Sequence, residues 1–299
     1  MKLIVIGGSS FIGRNLLEEL VEGSYPFSRV TATFSHDTSF LGFSKALGIE
    51  AVQYDVINED RPWDDYEVCI YLAGNSDHNL AIQDPARDLA MNTQGLLRFL
   101  RNFHGHLVYM SSGAVYYGLR GYVNAKMPVA PTFSYGISKL ACEHYVKAFY
   151  QSHSLASYVI LRLFYAYGKY DKPRRLIPQV VKAILCDKKK EFYVRGSGKS
   201  FMDPVDARYV ARVLAKAALA KDLNATLDLC GGYNQRVIEV VNSVAQALGK
   251  EIKVVADGTP EVFPVEFYSS PEPAIAILGL KSPPSLEEGV KAYASWALR

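Results

Sequence analysis

Leu3-Ile4-Val5-Ile6-Gly7-Gly8-Ser9-Ser10-Phe11-Ile12-Gly13 is an apolar run that stops at glycines and restarts as a helical pattern over residues 15–22. A short continuous apolar run bounded by glycine predicts a strand. A strand that turns directly into a helix aims free backbone N–H groups and a positive helix end at an anion. With this glycine spacing the expected anion is the pyrophosphate of a dinucleotide. Gly7 and Gly13 stand where a tight turn and a close helix–strand approach need a missing Cβ. Ser9, Ser10, Phe11 and Ile12 complete the expected loop. Such a loop also occurs as a plain structural turn, so the rest of the chain has to support it.

Residues 3–6, 30–34, 50–54, 68–72, 107–110 and 158–163 are β-rich runs, and helical patterns cover 15–22, 40–47, 84–102 and 135–153. That alternation implies an α/β fold, a Rossmann-type doubly wound parallel sheet with helices on both faces. Its ligand is expected outside the carboxyl ends of the strands. Residues 1–164 are expected to form the nucleotide-binding domain, with 206–231 returning to it through a strand at 226–229. Residues 165–205 and 232–299 are expected to form a smaller α/β substrate lobe, with helices at 177–186 and 236–248 and strands near 192–194 and 252–255. The aromatic and basic stretch 165–175 reads as a substrate lip.

The formal net charge is +3, from 33 basic and 30 acidic residues, too balanced for a nucleic-acid surface. The one tight basic run, Lys188-Lys189-Lys190, reads as a solvated turn. Four cysteines lack CxxC spacing and read as reduced core residues. No metal site is expected. No stretch approaches the ~18 apolar residues of a membrane span, and no export signal is visible. The expectation is a cytoplasmic protein with a small-molecule substrate, no nucleic acid and no membrane. Helices 84–102 and 135–153 carry apolar residues on more than one face, including Leu96, Leu97, Leu100, Ile137, Leu140, Tyr145 and Phe149, which predicts a two-fold homodimer.

Two further motifs carry chemistry. Ser112 ends the strand at 107–110, and Tyr135-Gly136-Ile137-Ser138-Lys139 opens a helix, so Tyr135 and Lys139 share one face. A phenol beside an ammonium is expected to shift towards phenolate and exchange a proton with a substrate alcohol, with Ser112 holding the same oxygen. Chance alone yields about one Tyr-x-x-x-Lys in a chain this rich in both residues, so the strand and helix context is what identifies this one. After the second strand, Ser35 and His36 stand where an acid would recognise the adenosine ribose, with no acid until Asp37. That pattern favours NADP over NAD, although no arginine is apparent to hold a 2′-phosphate. Asp55, after the third strand, is placed either for the adenine amino group or to cap the next turn.

The chain resembles the extended short-chain dehydrogenase/reductases, the NAD(P)-dependent epimerase/dehydratase group. The resemblance runs through Gly7 to Gly13, Tyr71-Leu72-Ala73-Gly74, Asn92-Thr93-Gln94-Gly95, Ser111 to Tyr116, Tyr135 to Lys139, Leu161-Arg162-Leu163-Phe164 and the ending Ser285-Leu286-Glu287-Glu288-Gly289. It implies an NAD(P) Rossmann domain whose cofactor is also lined by Val56, Leu72, Ala73, Gly74, Asn92 and Phe164. It further implies a substrate that is commonly a nucleotide sugar, here facing Ser76, Gly113 and Tyr165. Tyr165 replaces the group's usual Asn, and its diphosphate-clasping Arg has no match near Met202-Asp203, so Arg174, Arg175 or Lys199 is the candidate for that charge. Gly113-Ala114 replaces the Asp-Glu pair of the sugar dehydratases, which argues against dehydration. A sugar epimerase or ketoreductase is therefore expected, the alternative being a non-catalytic NAD(P)-binding protein.

Overall fold

The computed structural model describes residues 1–298. Its centre is a sheet of strands β1 (Lys2–Ile6), β2 (Arg29–Phe34), β3 (Glu50–Gln53), β4 (Val68–Tyr71), β5 (His106–Ser112), β6 (Ser157–Leu163) and β7 (Asn224–Leu229). The spatial order is β7-β6-β5-β4-β1-β2-β3, and every pairing is parallel. The chain winds outward from β1 to β3 and then returns to lay β4 on the other side of β1. That reversal opens a crevice at the carboxyl ends of β1 and β4, where a doubly wound sheet binds its ligand.

Alternate residues of β1 feed two cores. Leu3 and Val5 pack with Leu16, Leu17 and Leu20 of the helix Phe11–Glu22 and with Val210, Val213 and Leu214 of the helix Ala207–Leu219. Ile4 and Ile6 face Leu96, Phe99, Leu100, Cys142 and Val146 on the opposite side. Both faces are thus covered, which is why the strands read as continuous apolar runs rather than alternating ones. A buried histidine fastens the entry of β5: His106 contacts Ser157 Oγ at 2.7 Å and the Ala217 carbonyl at 2.9 Å.

A separate core joins Ile177, Val180, Val181 and Ile184 of the helix Leu176–Leu185 to Val240, Val241 and Val244 of Val237–Ala247 and to Leu286, Val290 and Tyr293 of Leu286–Ala297. The helix Leu286–Ala297 starts with a capping box, in which Ser285 Oγ accepts from Glu288 N–H at 3.2 Å and Glu288 reaches back to Ser285 N–H at 2.9 Å. Three cysteines are buried and Cys186 is exposed, all as free thiols. Among the described residues no helix is long and apolar enough to cross a membrane.

One expected helix departs from its pattern. Residues 84–102 divide into Pro85–Leu89, a π turn over Ala90–Gln94 and Gly95–Leu100. A short helix, His78–Gln83, precedes them, too brief to show helical periodicity.

Candidate active site

The backbone itself demands glycine at both predicted places. Gly7 has φ +89°, and a Cβ there would stand 2.9 Å from the Ala73 nitrogen. A Cβ on Gly13 would meet the Gly8 and Gly7 carbonyl oxygens at 2.5 and 2.6 Å. Gly7 N–H donates to Thr33 Oγ1 at 2.9 Å, tying the turn to β2. Ser10 Oγ accepts from Gly13 N–H at 3.0 Å, so this hydroxyl caps the helix. Helix geometry leaves the Phe11 and Ile12 N–H groups without in-helix acceptors, and the first turn holds no acidic side chain. These features fit a dinucleotide, with the turn between Ser9 and Gly13 on one side and Leu72-Ala73-Gly74 on the other.

At the far end of this crevice, Ser35 and His36 are exposed just past β2. The Ser35 carbonyl accepts from Gln53 Nε2 at 3.0 Å. Asp55 accepts from Ile57 N–H at 2.9 Å and Asn58 Nδ2 at 2.8 Å and so caps the next turn. The Asn58 bond leads the influences that hold its carboxyl below the usual range. Val56 packs on Gly95 so closely that a Cβ there would lie 2.9 Å from Val56 Cγ2. An arginine does stand at this end, contrary to expectation: Arg14 Nη2 lies 2.7 Å from Asp37 Oδ2. It sits one residue past the glycine loop, and its partner arrives from beyond β2, so adjacency in sequence did not reveal it.

Ser112 ends β5 and Tyr135 lies in the first turn of the helix Ser134–Gln151, with the Ser112 hydroxyl acting on the Tyr135 phenol. Ser112 Oγ accepts from Ala114 N–H at 3.1 Å. Tyr135 is only 6% exposed. Burial pushes its phenol up, offset only in part by the Ser112 hydroxyl and the more distant Arg175. The expected shift towards phenolate is therefore reversed. Burial is the cause, and Lys139 points elsewhere: its Nζ donates to the Met110 carbonyl at 3.1 Å and Tyr109 OH at 3.4 Å, and lies 6.0 Å from the centre of the Tyr135 ring. Burial also lowers the Lys139 pKa. Tyr135 is thus held neutral in the free protein.

Behind these groups runs a buried polar chain. Glu143, one helical turn beyond Lys139, accepts from Ser111 Oγ at 2.6 Å and from Arg162 at 2.9 and 2.7 Å. Arg162 Nη1 donates to Tyr116 OH at 2.8 Å, Tyr116 OH donates to Asp228 at 2.7 Å, and Ser269 Oγ donates to the other Asp228 oxygen at 2.7 Å. The chain couples the Tyr135 helix to the ends of β5, β6 and β7. Asn92, in the π turn, donates to Asp88 at 2.9 Å and Ser138 at 3.1 Å. Asn92 Oδ1 and Asp88 Oδ2 remain buried without partners.

The substrate side contains three residues the sequence did not single out, His78, Phe133 and Phe263, beside Tyr117, which it did. The His78 ring lies 4.8 Å from that of Tyr135 and 5.0 Å from that of Phe133. Burial lowers its pKa. Phe133, Phe263 and Tyr117 extend the wall, with Phe133 and Phe263 rings 4.7 Å apart. Arg175 stacks 4.3 Å over Tyr165, within 5.9 Å of the Phe11 ring, and pairs with Asp171 at 3.1 Å. Tyr165 OH is occupied as acceptor for Leu176 N–H at 3.0 Å. Arg174 binds Asp77, beside His78, at 2.8 Å. Ser76 is exposed nearby. Gly113 and Phe164 are in contact: a Cβ on Gly113 would meet the Phe164 ring at 3.2 Å.

Comparison with known proteins agrees with this geometry. Residues 3–228 match the model of the NAD dependent epimerase/dehydratase family. The candidate UDP-glucose 4-epimerase of Methanocaldococcus jannaschii is 25% identical over 98% of this chain and 97% of its own length. The GDP-6-deoxy-D-mannose reductase of Pseudomonas aeruginosa is 25% identical over 86% of this chain and 83% of its own. In fold, the chain is similar to MoeE5, solved in complex with UDP-glucose and NAD, with a TM-score of 0.86 at 22% identity over 100% and 99% of the two chains. With most of its length matched and the nucleotide crevice formed, the chain belongs to the NAD dependent epimerase/dehydratase family, enzymes of the extended short-chain dehydrogenase/reductase type.

Proposed function

We propose that this enzyme moves a hydride to or from a carbon of a sugar, carried on a nucleotide, as an epimerase or ketoreductase, with Tyr135 exchanging the alcohol proton. The observation that carries the reading is the pairing of the buried Tyr135 with the Ser112 hydroxyl. Bound nicotinamide supplies the hydride acceptor or donor. Ser112 orients the substrate oxygen, and Tyr135, held neutral, donates its proton to a carbonyl in the reducing direction. Lys139, on Met110 and Tyr109, positions the helix end rather than ionising Tyr135 in the free protein. Gly113 and Ala114 offer no acid for a leaving hydroxyl, which argues against dehydration.

Nucleotide-sugar specificity is supported by the activities of the relatives and by chemistry from residues 76–133 together with the lobe formed by residues 165–205 and 232–299. The wall of His78, Phe133, Phe263 and Tyr117 suits the apolar face of a sugar ring. Arg174 and Arg175 are the candidate phosphate contacts, and Tyr165, Ser76 and Gly113 line the same approach. Ser35 and His36 favour NADP, but by only a few-fold, on the order of 1 kcal/mol for a neutral hydroxyl bond. A thermal-shift screen of NAD, NADP and nucleotide sugars tests the assignment, since a ligand at ~100 times its Kd adds roughly 2.7 kcal/mol. Cofactor that stays bound through purification supports the epimerase; release supports the ketoreductase. No shift with any nucleotide sugar would exclude that substrate class.

A further inference from the structure

The Arg14–Asp37 pair stands at the corner where the glycine loop meets the end of β2. Arg14 Nε donates to the Ser9 carbonyl at 3.3 Å, and Nη2 reaches Asp37 Oδ2 at 2.7 Å and Ser39 Oγ at 3.3 Å. The guanidinium lies over the Phe43 ring at 4.8 Å, with Phe40 at 5.6 Å and Tyr170 at 5.8 Å. This packing leaves the Arg14 side chain 14% exposed, against 44% for Asp37. Asp37 Oδ1 is engaged by Ser39 Oγ at 2.5 Å and Ser39 N–H at 3.1 Å.

In doubly wound sheets an acid at the end of the second strand accepts from the ribose 2′-hydroxyl, whereas an arginine there accommodates a 2′-phosphate. This chain carries both, and they neutralise each other. A bare carboxylate would repel the phosphate, and a bare guanidinium would clasp it through charge-assisted bonds. Nε and Nη2 are spent on Ser9, Asp37 and Ser39, which leaves Nη1 as the guanidinium nitrogen with no acceptor among the described residues.

We propose that Arg14 and Asp37 together set cofactor choice, Arg14 as the anchor for a 2′-phosphate and Asp37 as the internal anion that competes for it. The inference rests on the cofactor site proposed above. It adds this pair to Ser35 and His36 as the charged part of the discrimination.

Calorimetric titration of the whole protein with NADP, NAD, 2′,5′-ADP and ADP tests it without reference to turnover. Arg14→Gln leaves Asp37 unpaired and is expected to weaken NADP and 2′,5′-ADP by about tenfold or more, with NAD and ADP within threefold of the parent. Asp37→Asn frees Arg14 and is expected to strengthen NADP and 2′,5′-ADP by about tenfold, again sparing NAD and ADP. Because Asp37 lies in an exposed loop, this second variant keeps the test intact if loss of the Arg14 packing compromises the fold. A parent that binds while its NADP-to-NAD ratio stays unchanged in Asp37→Asn, or moves in the same direction in both variants, overturns the pair alone. A parent that binds none of the four nucleotides overturns the cofactor site and this inference with it.

Discussion

Tyr135 illustrates how burial decides the state of a phenol when the neighbouring cation is turned elsewhere: burial keeps it protonated, while Lys139 spends its donors on Met110 and Tyr109. Replacing Tyr135 with Phe removes the hydroxyl proposed as proton donor and keeps the ring packing. Turnover is expected to fall by roughly 10²–10⁴-fold with nucleotide affinity within threefold of the parent; turnover within threefold of the parent would take Tyr135 out of the mechanism. Asp203 provides a pH test remote from the chemistry. Its buried carboxyl, although it accepts from Gly231, Gly232 and Tyr233 N–H groups at 2.8, 3.3 and 3.1 Å, is pushed up by burial to about 7. The folded state therefore holds this proton between pH ~4 and ~7 while the unfolded chain has released it, and the associated stability is lost as pH rises through that window. Asp203→Asn keeps the acceptor used by Gly231 and Tyr233. The stability of Asp203→Asn relative to the parent should rise from pH 4 to pH 8; a gap that stays flat in urea titrations across this range would show that Asp203 titrates normally.

Glu143, Arg162, Tyr116 and Asp228 bind the Tyr135 helix to three strand ends through charges and hydroxyls shut away from water. Removing one partner of such a pair leaves the other charge buried alone, so Glu143→Ala should cost about 3–5 kcal/mol, read as a lowered urea midpoint. A loss under 1 kcal/mol would mean that Arg162 finds water or another acceptor. None of these bonds was legible in the sequence, because Tyr116 and Asp228 are 112 residues apart and local periodicity carries no trace of such a pairing. What was legible is what short range controls: the six strands and the return of β7, the glycine turn, and the Ser112, Tyr135 and Lys139 positions at element ends. His78 escaped because its helix is a turn and a half long, and Arg14 because its partner lies across β2. The π turn escaped because one extra residue per turn leaves the apolar pattern of residues 84–102 nearly unchanged.

Two features belong to the molecule as a whole. On the face away from the sheet, Leu89, Ile137 and Tyr145 are 42%, 52% and 42% exposed, an apolar surface on neighbouring helices suited to a second copy. We expect a dimer whose mass by light scattering halves in Ile137→Asp; a parent already monomeric at micromolar concentration would exclude that arrangement. The chain also crosses repeatedly between the sheet and the smaller core. Strand β7 is made some sixty residues after its neighbour β6. At ~5–20 residues per second, a ribosome leaves the outer edge of β6 bare for roughly 3–12 s, with Val159, Ile160 and Leu161, all fully buried in the finished protein, next to unpaired backbone groups. An open apolar edge recruits other strands. A chain released at residue 222, just short of β7, should therefore collect in the insoluble fraction to a greater extent than one released at residue 231, which has closed that edge; both bare the same half of the second core.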